Sequence, residues 1–480
     1  MEETCEVVVS QKGFHKLRVR GYLMVKEKCA GERYYWCCDH RKSLYCGGRA
    51  ISCFRNGQHV LQKFVDHNHA PVASAPYVAT IVEEIKTRAR STADLPCQIV
   101  HSCTTSAPPN VAPYLPSRAA LSESIRRVRR AERPREPRSL AEVAIPEELQ
   151  RTLTGEPFLI SDLAVEDHRM LIFASKADIE KLSAASLWIM DGTFKTVPRL
   201  FYQLYTIHGA LQTSRFSIFP LVYILMTGKS EELYRRVFQE LGDFGERNEL
   251  HLRPSVIMTD LELSAINAAR TEFPDAMNKA CFFHSSQCVW RKIQSCGLAS
   301  TYADDENFSL AMRHLTALAF LRFDEIPEAF EELKPHLPEE AHEVTEWFEV
   351  NYVHGQIRRR LRNGVVVRSP PLFAPTLWSV FECMESGFPR TQNNIEAWHR
   401  RWKSLLGKAH VGVYQIVEEF RKEQRHVTNE YERLLRGEPC PQGKKQDIRR
   451  EQRLQNVIRN RENRLNPMDY LRAIAHNLHL

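Results

Sequence analysis

Two short apolar runs, Trp188-Ile-Met-Asp191 and Val256-Ile-Met-Thr-Asp260, each end on an aspartate, with 69 positions between the two carboxylates. A short apolar run suits a buried strand, and an acid at its end then stands at the edge of a sheet. Asp191-Gly192 has a second reading, because Asp-Gly between β-favouring residues is also a strong hairpin signal. The local sequence leaves turn and site both open, so the elements around the two runs have to be read first.

Ser186–Met190 is followed by Tyr202–Ile207 and Phe216–Leu225, with Gly209 and nearby polar residues between them, which predicts three antiparallel strands. Lys229–Leu241 carries Leu233, Val237, Phe238 and Leu241 at helical spacing behind an N-capping Ser230. Val256–Thr259 reads as a fourth strand, Ser264–Phe273 as a helix closed by Pro274, and Lys279–Phe283 as a fifth strand ending at His284. The order β-β-β-α-β-α-β, with an aspartate closing the first and fourth strands, predicts a ribonuclease-H-like α/β domain in which those two strands are neighbours. Asp191 and Asp260 then share one end of the sheet, where a hard cation relieves their repulsion. Thr391–Leu406 supplies a third acid: Ile395, Trp398, Trp402 and Leu405 follow helical spacing, Glu396 lies beside that face, and Asn393 or Asn394 can cap the start.

At 480 residues the chain suits two or three domains. No apolar run approaches the roughly 18 residues of a membrane helix, and Met-Glu-Glu-Thr-Cys-Glu lacks the regions of a signal peptide, so an intracellular protein with no membrane partner is expected. Thirteen scattered cysteines are an odd number, which points to reduced thiols, some on metal. Residues 1–70 hold 12 Lys/Arg against 7 Asp/Glu, residues 118–138 hold 8 against 3, and residues 441–480 hold 9 against 4. Each segment is +5, so with a net charge of +7 the remainder is −8, an acidic body with basic ends.

Between Gly21 and Pro71, Tyr34-Tyr-Trp-Cys-Cys38 is followed by Cys46-Gly-Gly-Arg49 and His67-Asn-His69. Two thiolates and two imidazoles satisfy tetrahedral Zn²⁺, and Cys38, Cys46, His67 and His69 can supply them. Gly21–Val25, Arg33–Cys37, Gly48–Ser52 and His59–Phe64 read as short strands, so a β-rich wrapping is expected. The segment 10–72 resembles the FLYWCH zinc finger, with Trp36 two residues before Cys38, then Cys-x-Gly-Arg and His-x-His; that spacing selects Cys38 over Cys37. Modules of this family are taken to bind DNA or proteins, and Arg41, Lys42, Arg49 and Lys63 suit phosphate contacts.

Prolines at 71, 76, 96, 108, 109, 113 and 116 make residues 73–117 a mostly flexible connector, with one helical stretch possible at Val78–Arg90. Residues 118–139 follow as a basic helix, with Leu121, Ile125 and Val128 on one face and Arg126, Arg127, Arg129 and Arg130 on others. It is either an ordinary solvated helix or a DNA-contacting one. Residues 286–385 are expected as a helical insertion whose Trp347 and Trp378 pack in a core or hold a base. The basic segment 436–480, with Ile458, Leu465 and Leu471, is expected as a helical or disordered DNA-binding tail.

Asp-Gly-Thr-Phe at 191, Thr-Asp260 with Ala-x3-Phe-Pro behind it, Cys281-x-x-His284 and Asn-Asn-x-x-Glu396-x-x-His399 together resemble a Mutator-like element (MULE) transposase over about residues 140–435, and FLYWCH modules are known companions of that domain. The resemblance implies that Asp191, Asp260 and Glu396 are an acidic triad (DDE) holding two Mg²⁺ or Mn²⁺ ions, and that the reaction is DNA strand cleavage and strand transfer in cut-and-paste transposition. Cys281, His284 and His399 would be auxiliary; Cys281 and His284 bind zinc, form a purely structural pair, or set His284 near the scissile phosphate with Cys281 packing, the reading favoured here because no second pair of zinc ligands stands nearby. Implied partners are double-stranded DNA, as terminal inverted repeats and target, and further copies of the chain, with no small-molecule substrate and a nuclear location. The other reading is a host-recruited DNA-binding transcriptional regulator in which the zinc finger recognises sequence and the triad is idle.

Overall fold

Six short strands pair in chain order, β1 (Thr4–Val9), β2 (His15–Val19), β3 (Tyr22–Ala30), β4 (Arg33–Cys38), β5 (Arg49–Arg55) and β6 (Gln58–Val65), and β1 closes on β6 to form a barrel with no free edge. Alternation along the strands turns Leu17, Val19, Met24, Trp36 and Ala50 inward as a small core. This computed structural model describes residues 3–9, 15–92, 94–131, 134–212, 216–362, 366–390, 393–438, 445–461 and 466–478. The chain divides into two units, Met1–Arg135 and Glu136–Leu480.

The segment expected as a flexible connector is instead largely helical. Helices α1 (Ala75–Ser91) and α2 (Pro96–Thr105) pack with α3 (Arg118–Ala131) around Ile81, Val82, Ile85, Ile99, Val100, Leu121 and Ile125. The prolines mislead because Pro76 and Pro96 stand in first turns, where a missing N–H breaks no helical hydrogen bond.

In the second unit, β7 (Leu159–Val165), β8 (His168–Phe173), β9 (Leu187–Thr193), β10 (Gln203–Gln212), β11 (Phe216–Met226), β12 (Val256–Thr259) and β13 (Met277–Ala280) form one sheet in the order β13-β12-β9-β10-β11-β8-β7. β9, β10 and β11 are an antiparallel meander; β12 runs parallel to β9, and β13 parallel to β12. The edge pair β7–β8 is an addition the sequence reading did not include. Helix α4 (Lys176–Ala184) precedes β9, α5 (Glu231–Arg247) and α6 (Leu263–Glu272) flank β12, and α7 (Phe282–Ser295) follows β13. His284 therefore lies in the first turn of a helix, and the expected fifth strand stops at Ala280.

The insertion is helical as expected, with α8 (Ala299–Asp304), α9 (Glu306–Ala317), α10 (Ile326–Leu333), α11 (His342–Phe348), α12 (Pro375–Trp378) and α13 (Phe381–Glu385), but it also contains a two-stranded ribbon, β14 (Ile357–Arg360) and β15 (Val366–Arg368). Trp378 is buried and donates its indole N–H to the Tyr352 carbonyl (3.0 Å), and Trp347 packs on the same core, so both serve packing. The chain ends with α14 (Asn393–Leu406), α15 (Val413–Leu435), α16 (Lys445–Arg459) and α17 (Pro467–Ala475). The tail does not stand free: Leu454, Tyr470, Leu471 and Ile474 are buried in the insertion's core, with Ile458 packed against it, while Leu465 lies outside the described residues.

Both faces of the sheet are covered. α4, α5 and α6 bury Ile179, Leu182, Val237, Phe238 and Ala268 against Trp188, Met190 and Ile207. On the opposite face α14 and α15 bring Trp398, Trp402, Ile416 and Phe420 onto Leu171, Leu204 and Tyr223. The second cover is what delivers α14, and with it Glu396, to the sheet.

Candidate metal centre and active site

At the mouth of the barrel, strand alternation turns Cys38 inward at the end of β4 and leaves its neighbour Cys37 half-exposed. Cys46 precedes β5, and His67 and His69 follow β6. Ligand atoms of these four residues all lie within 4.8 Å of one another, with Cys38 Sγ 3.2 Å from His69 Nε2 and Cys46 Sγ 3.3 Å from His67 Nδ1. Burial pushes the Cys38 thiol up to about 11. Backbone N–H groups of His40 and Gly48 donate to the two sulfurs (3.3 and 3.4 Å), Tyr22 stacks flat on His67 at 3.8 Å between ring centroids, and the Tyr22 hydroxyl donates to the His69 carbonyl (2.9 Å). Gly48 is required sterically, since a Cβ there would meet the His67 ring at 2.5 Å. A closed set of two thiols and two imidazoles, oriented by further hydrogen bonds, has the chemistry of a structural zinc site.

The acids of the second unit are placed differently. β9 runs on through Thr193, with Gly192 paired to Tyr205, so Asp191-Gly192 is strand and not the two-residue turn of a hairpin. In the parallel pair β9–β12, Met258 lies opposite Ile189, and the same register carried two residues on brings Asp260 level with Asp191. Glu396 occupies the first turn of α14; His399, one turn further, places Nε2 2.9 Å from Asp191 Oδ2. The side chains of Asn393 and Asn394, and all of Thr391 and Gln392, lie outside the described residues.

Burial and the charge of Asp191 hold the Asp260 carboxyl above its ordinary range, opposed by His284. Burial raises the Glu396 carboxyl too, again opposed by His284, and its Oε1 is buried with no hydrogen-bond partner. His284 thus stands within electrostatic reach of both acids, while Cys281 is buried among Leu187, Ile189 and Ile395. The three acids are not gathered as closely as the barrel ligands; among the described residues only those ligands and Glu331, Glu349 and His354 bring their ligand atoms within 4.8 Å of one another.

One carboxylate was overlooked in the sequence. Glu262 follows Asp260 by two residues, its N–H donates to Asp260 Oδ1 (3.1 Å), and its Oε1 accepts from Tyr234 (3.1 Å). The Asp-Leu-Glu spacing was the available signal.

Residues 187–287 match the MULE transposase domain family, and residues 7–69 match the FLYWCH zinc finger domain family. The chain carries a MULE transposase domain behind a FLYWCH zinc finger. No curated protein matches it. The FLYWCH match ends on the last of the four metal ligands; the MULE match takes in Asp191, Asp260, Cys281 and His284 and stops before Glu396 and His399. Among the described residues no helix is long and apolar enough to cross a membrane.

The basic residues singled out for DNA divide into engaged and available ones. In the FLYWCH domain Arg41 and Arg49 both face Glu27 (2.7 and 3.6 Å), whereas Lys42 and Lys63 are exposed. On α3, Arg126 faces Glu123 (3.5 Å), and Arg127 and Arg130 are exposed. Arg129 is spent elsewhere: its guanidinium donates to the carbonyls of Ala89 and Thr92 (3.0 and 2.8 Å), closing the end of α1.

Proposed function

We propose that the MULE domain is a ribonuclease-H-like DDE nuclease and strand transferase, with Asp191, Asp260 and Glu396 as its acidic triad. The observation that carries this reading is the register of β9 on β12, Met258 opposite Ile189, which carried two residues on sets Asp260, just past the end of β12, level with Asp191 on β9. The sheet order supports it, a three-stranded meander whose first strand is extended by two parallel strands.

The donor set fits hard divalent cations: three carboxylates, one with a buried oxygen that no protein group satisfies. Two Mg²⁺ or Mn²⁺ ions, when bound, would supply activation of the attacking water or 3′-hydroxyl and stabilisation of the leaving oxygen. The chain's own part is positioning. β9 and β12 fix Asp191 and Asp260, while α14 presents Glu396 from the other side. His399 restrains one oxygen of Asp191, and His284, facing Asp260 and Glu396, is placed to meet the scissile phosphate. The FLYWCH domain, through Lys42 and Lys63, and α3, through Arg127 and Arg130, would grip DNA by its phosphates. Such a protein acts in the nucleus, and synapsis of two DNA ends calls for a homo-oligomer.

The test is incubation of purified protein with supercoiled DNA carrying terminal inverted repeats and Mg²⁺ or Mn²⁺. Nicks made by wild type and lost in Asp260→Ala are the expected result; equal absence of nicks in both removes the enzyme reading.

A further inference from the structure

The insertion carries one element that its helical core does not use. Among the described residues β14 and β15 pair only with each other, and Ile357-Arg358-Arg359-Arg360-Leu361-Arg362 is exposed throughout. An isolated two-stranded ribbon is marginal in water, so its geometry must be fixed from the base. Gly355 stands at φ +80°, where a Cβ would strike the Ser369 carbonyl at 1.8 Å, so the two strands leave the core almost in contact. The Ser369 N–H donates to the Gln356 carbonyl (2.8 Å). At the foot of β15, Arg368 donates to the Gly355 carbonyl (3.0 Å) and to buried Glu349 (2.8 Å), whose other oxygen accepts from Lys334 (2.6 Å).

The Arg368 guanidinium at the base is therefore paired, and the guanidinium groups on the blade are not. Among the described residues, the side chains of Arg358, Arg359, Arg360 and Arg362 have no hydrogen-bonding or ion-pair partner. Residues 355–371 contain no Asp or Glu at all, so nothing local can supply one. Four guanidinium groups within five consecutive residues, three of them on β14 at about 3.4 Å per residue, repel one another until an anion of comparable charge density lies beside them. The guanidinium fork matches phosphate oxygens in pairs, and a two-stranded ribbon is one of the shapes that the B-DNA major groove admits.

We propose that the β14–β15 ribbon is a clamp for the phosphate backbone of double-stranded DNA. It deepens the transposase reading in its choice of partner, but its test reads binding and not cleavage. The full-length protein and a quadruple variant, Arg358→Ala, Arg359→Ala, Arg360→Ala and Arg362→Ala, are titrated into a fluorescent duplex over a range of salt. The expected result is at least tenfold weaker binding at ~0.1 M salt and a log Kd against log salt slope shallower by up to about 3.6, at roughly 0.9 per lost phosphate contact. The corresponding quadruple Arg→Lys variant should keep most of the salt slope. All four positions are exposed, so the thermal midpoint should not move; should the quadruple variant unfold, single Arg→Gln variants each lowering the slope by about 0.9 carry the test. Unchanged affinity and slope overturn the proposal, as does lost binding to a poly-glutamate peptide with DNA binding intact, which would assign the ribbon to an acidic protein. If wild type makes no nicks yet the variant loses DNA, the cleavage reading falls and the clamp stands; nicking with an unchanged slope gives the reverse.

Discussion

The Cys38–His69 centre and the Asp191–Glu396 cluster are two answers to the problem of holding charge in a folded chain. In the barrel, four ligand atoms already lie within 4.8 Å, and the core beneath them is little more than Leu17, Val19, Met24, Trp36 and Ala50. So small a core does not hold a fold without a staple. In the second unit the acids come from β9, the end of β12 and α14, on a sheet packed on both faces. On the proposed reading the first arrangement would make folding depend on metal, whereas the second would leave folding independent and need a cation only to complete the site.

The strongest test of that contrast is removal of a ligand from each side. Cys38→Ser or His67→Ala should abolish zinc binding and unfold the barrel while the MULE domain stays folded, since structural zinc contributes on the order of 10 kcal/mol to such modules. Zinc content by elemental analysis, with hydrogen exchange along β2 to β5, reads this directly, and a variant with wild-type zinc content would remove the assignment. Asp260→Asn should do the opposite. Cleavage should fall by roughly 10³-fold or more, yet thermal stability in EDTA should hold or rise, because burial and Asp191 both disfavour the charge that is removed. A MULE domain that unfolds with Asp260→Asn would end the distinction.

What could be read in advance follows the same divide. The strand that carries Asp191 and the one that leads to Asp260 were legible because a buried strand is an uninterrupted apolar run, and the barrel ligands because cysteines and histidines are conspicuous. The helical stretch Val78–Arg90 lies within Ala75–Ser91, but the first turn of that helix and all of Pro96–Thr105 were hidden, because proline reads as a breaker unless its place in a first turn is known. The apolar positions of the tail were visible, but not the core that receives them: Tyr470 donates to the Phe320 carbonyl (2.9 Å) across a separation no local pattern encodes. The ribbon at 357–368 was missed for a related reason, as a run of arginines carries no period.

Two glycines sharpen the comparison at smaller cost. Gly48→Ala sets a methyl against the His67 ring at 2.5 Å, a ring fixed by Tyr22 and by the metal set, so zinc affinity should fall at least tenfold. Gly192→Ala sets it 2.7 Å from Gln203 Oε1, the far end of a side chain, and should cost about 1 kcal/mol with the site intact. Competition with a chelator and thermal unfolding separate the two. Equal losses would mean that the acidic cluster is as closed as the zinc centre.

The smallest effect concerns a buried histidine. His208 on β10 sits beneath the cluster, with Nε2 3.0 Å from Thr206 Oγ1, whose hydroxyl donates to the Asp191 carbonyl (3.3 Å), and with the edge of Trp398 against its ring. Burial first, then the nearby His399, holds its pKa well below the ordinary value. Below about pH 6.5 the unfolded chain therefore takes up a proton that the folded chain refuses. Stability is complete above that pH and is lost as pH falls, by up to about 1.4 kcal/mol per unit for one proton. His208→Gln keeps a hydrogen-bonding group beside Thr206 and removes the titration, so urea unfolding between pH 7.5 and 5 should give the variant a flatter profile for the MULE domain. The barrel should lose stability with acid in both proteins, since protons compete with metal for its cysteines and histidines. Parallel profiles for the MULE domain in wild type and variant would mean that its acid sensitivity resides elsewhere, and that His208 supports β9 through packing alone.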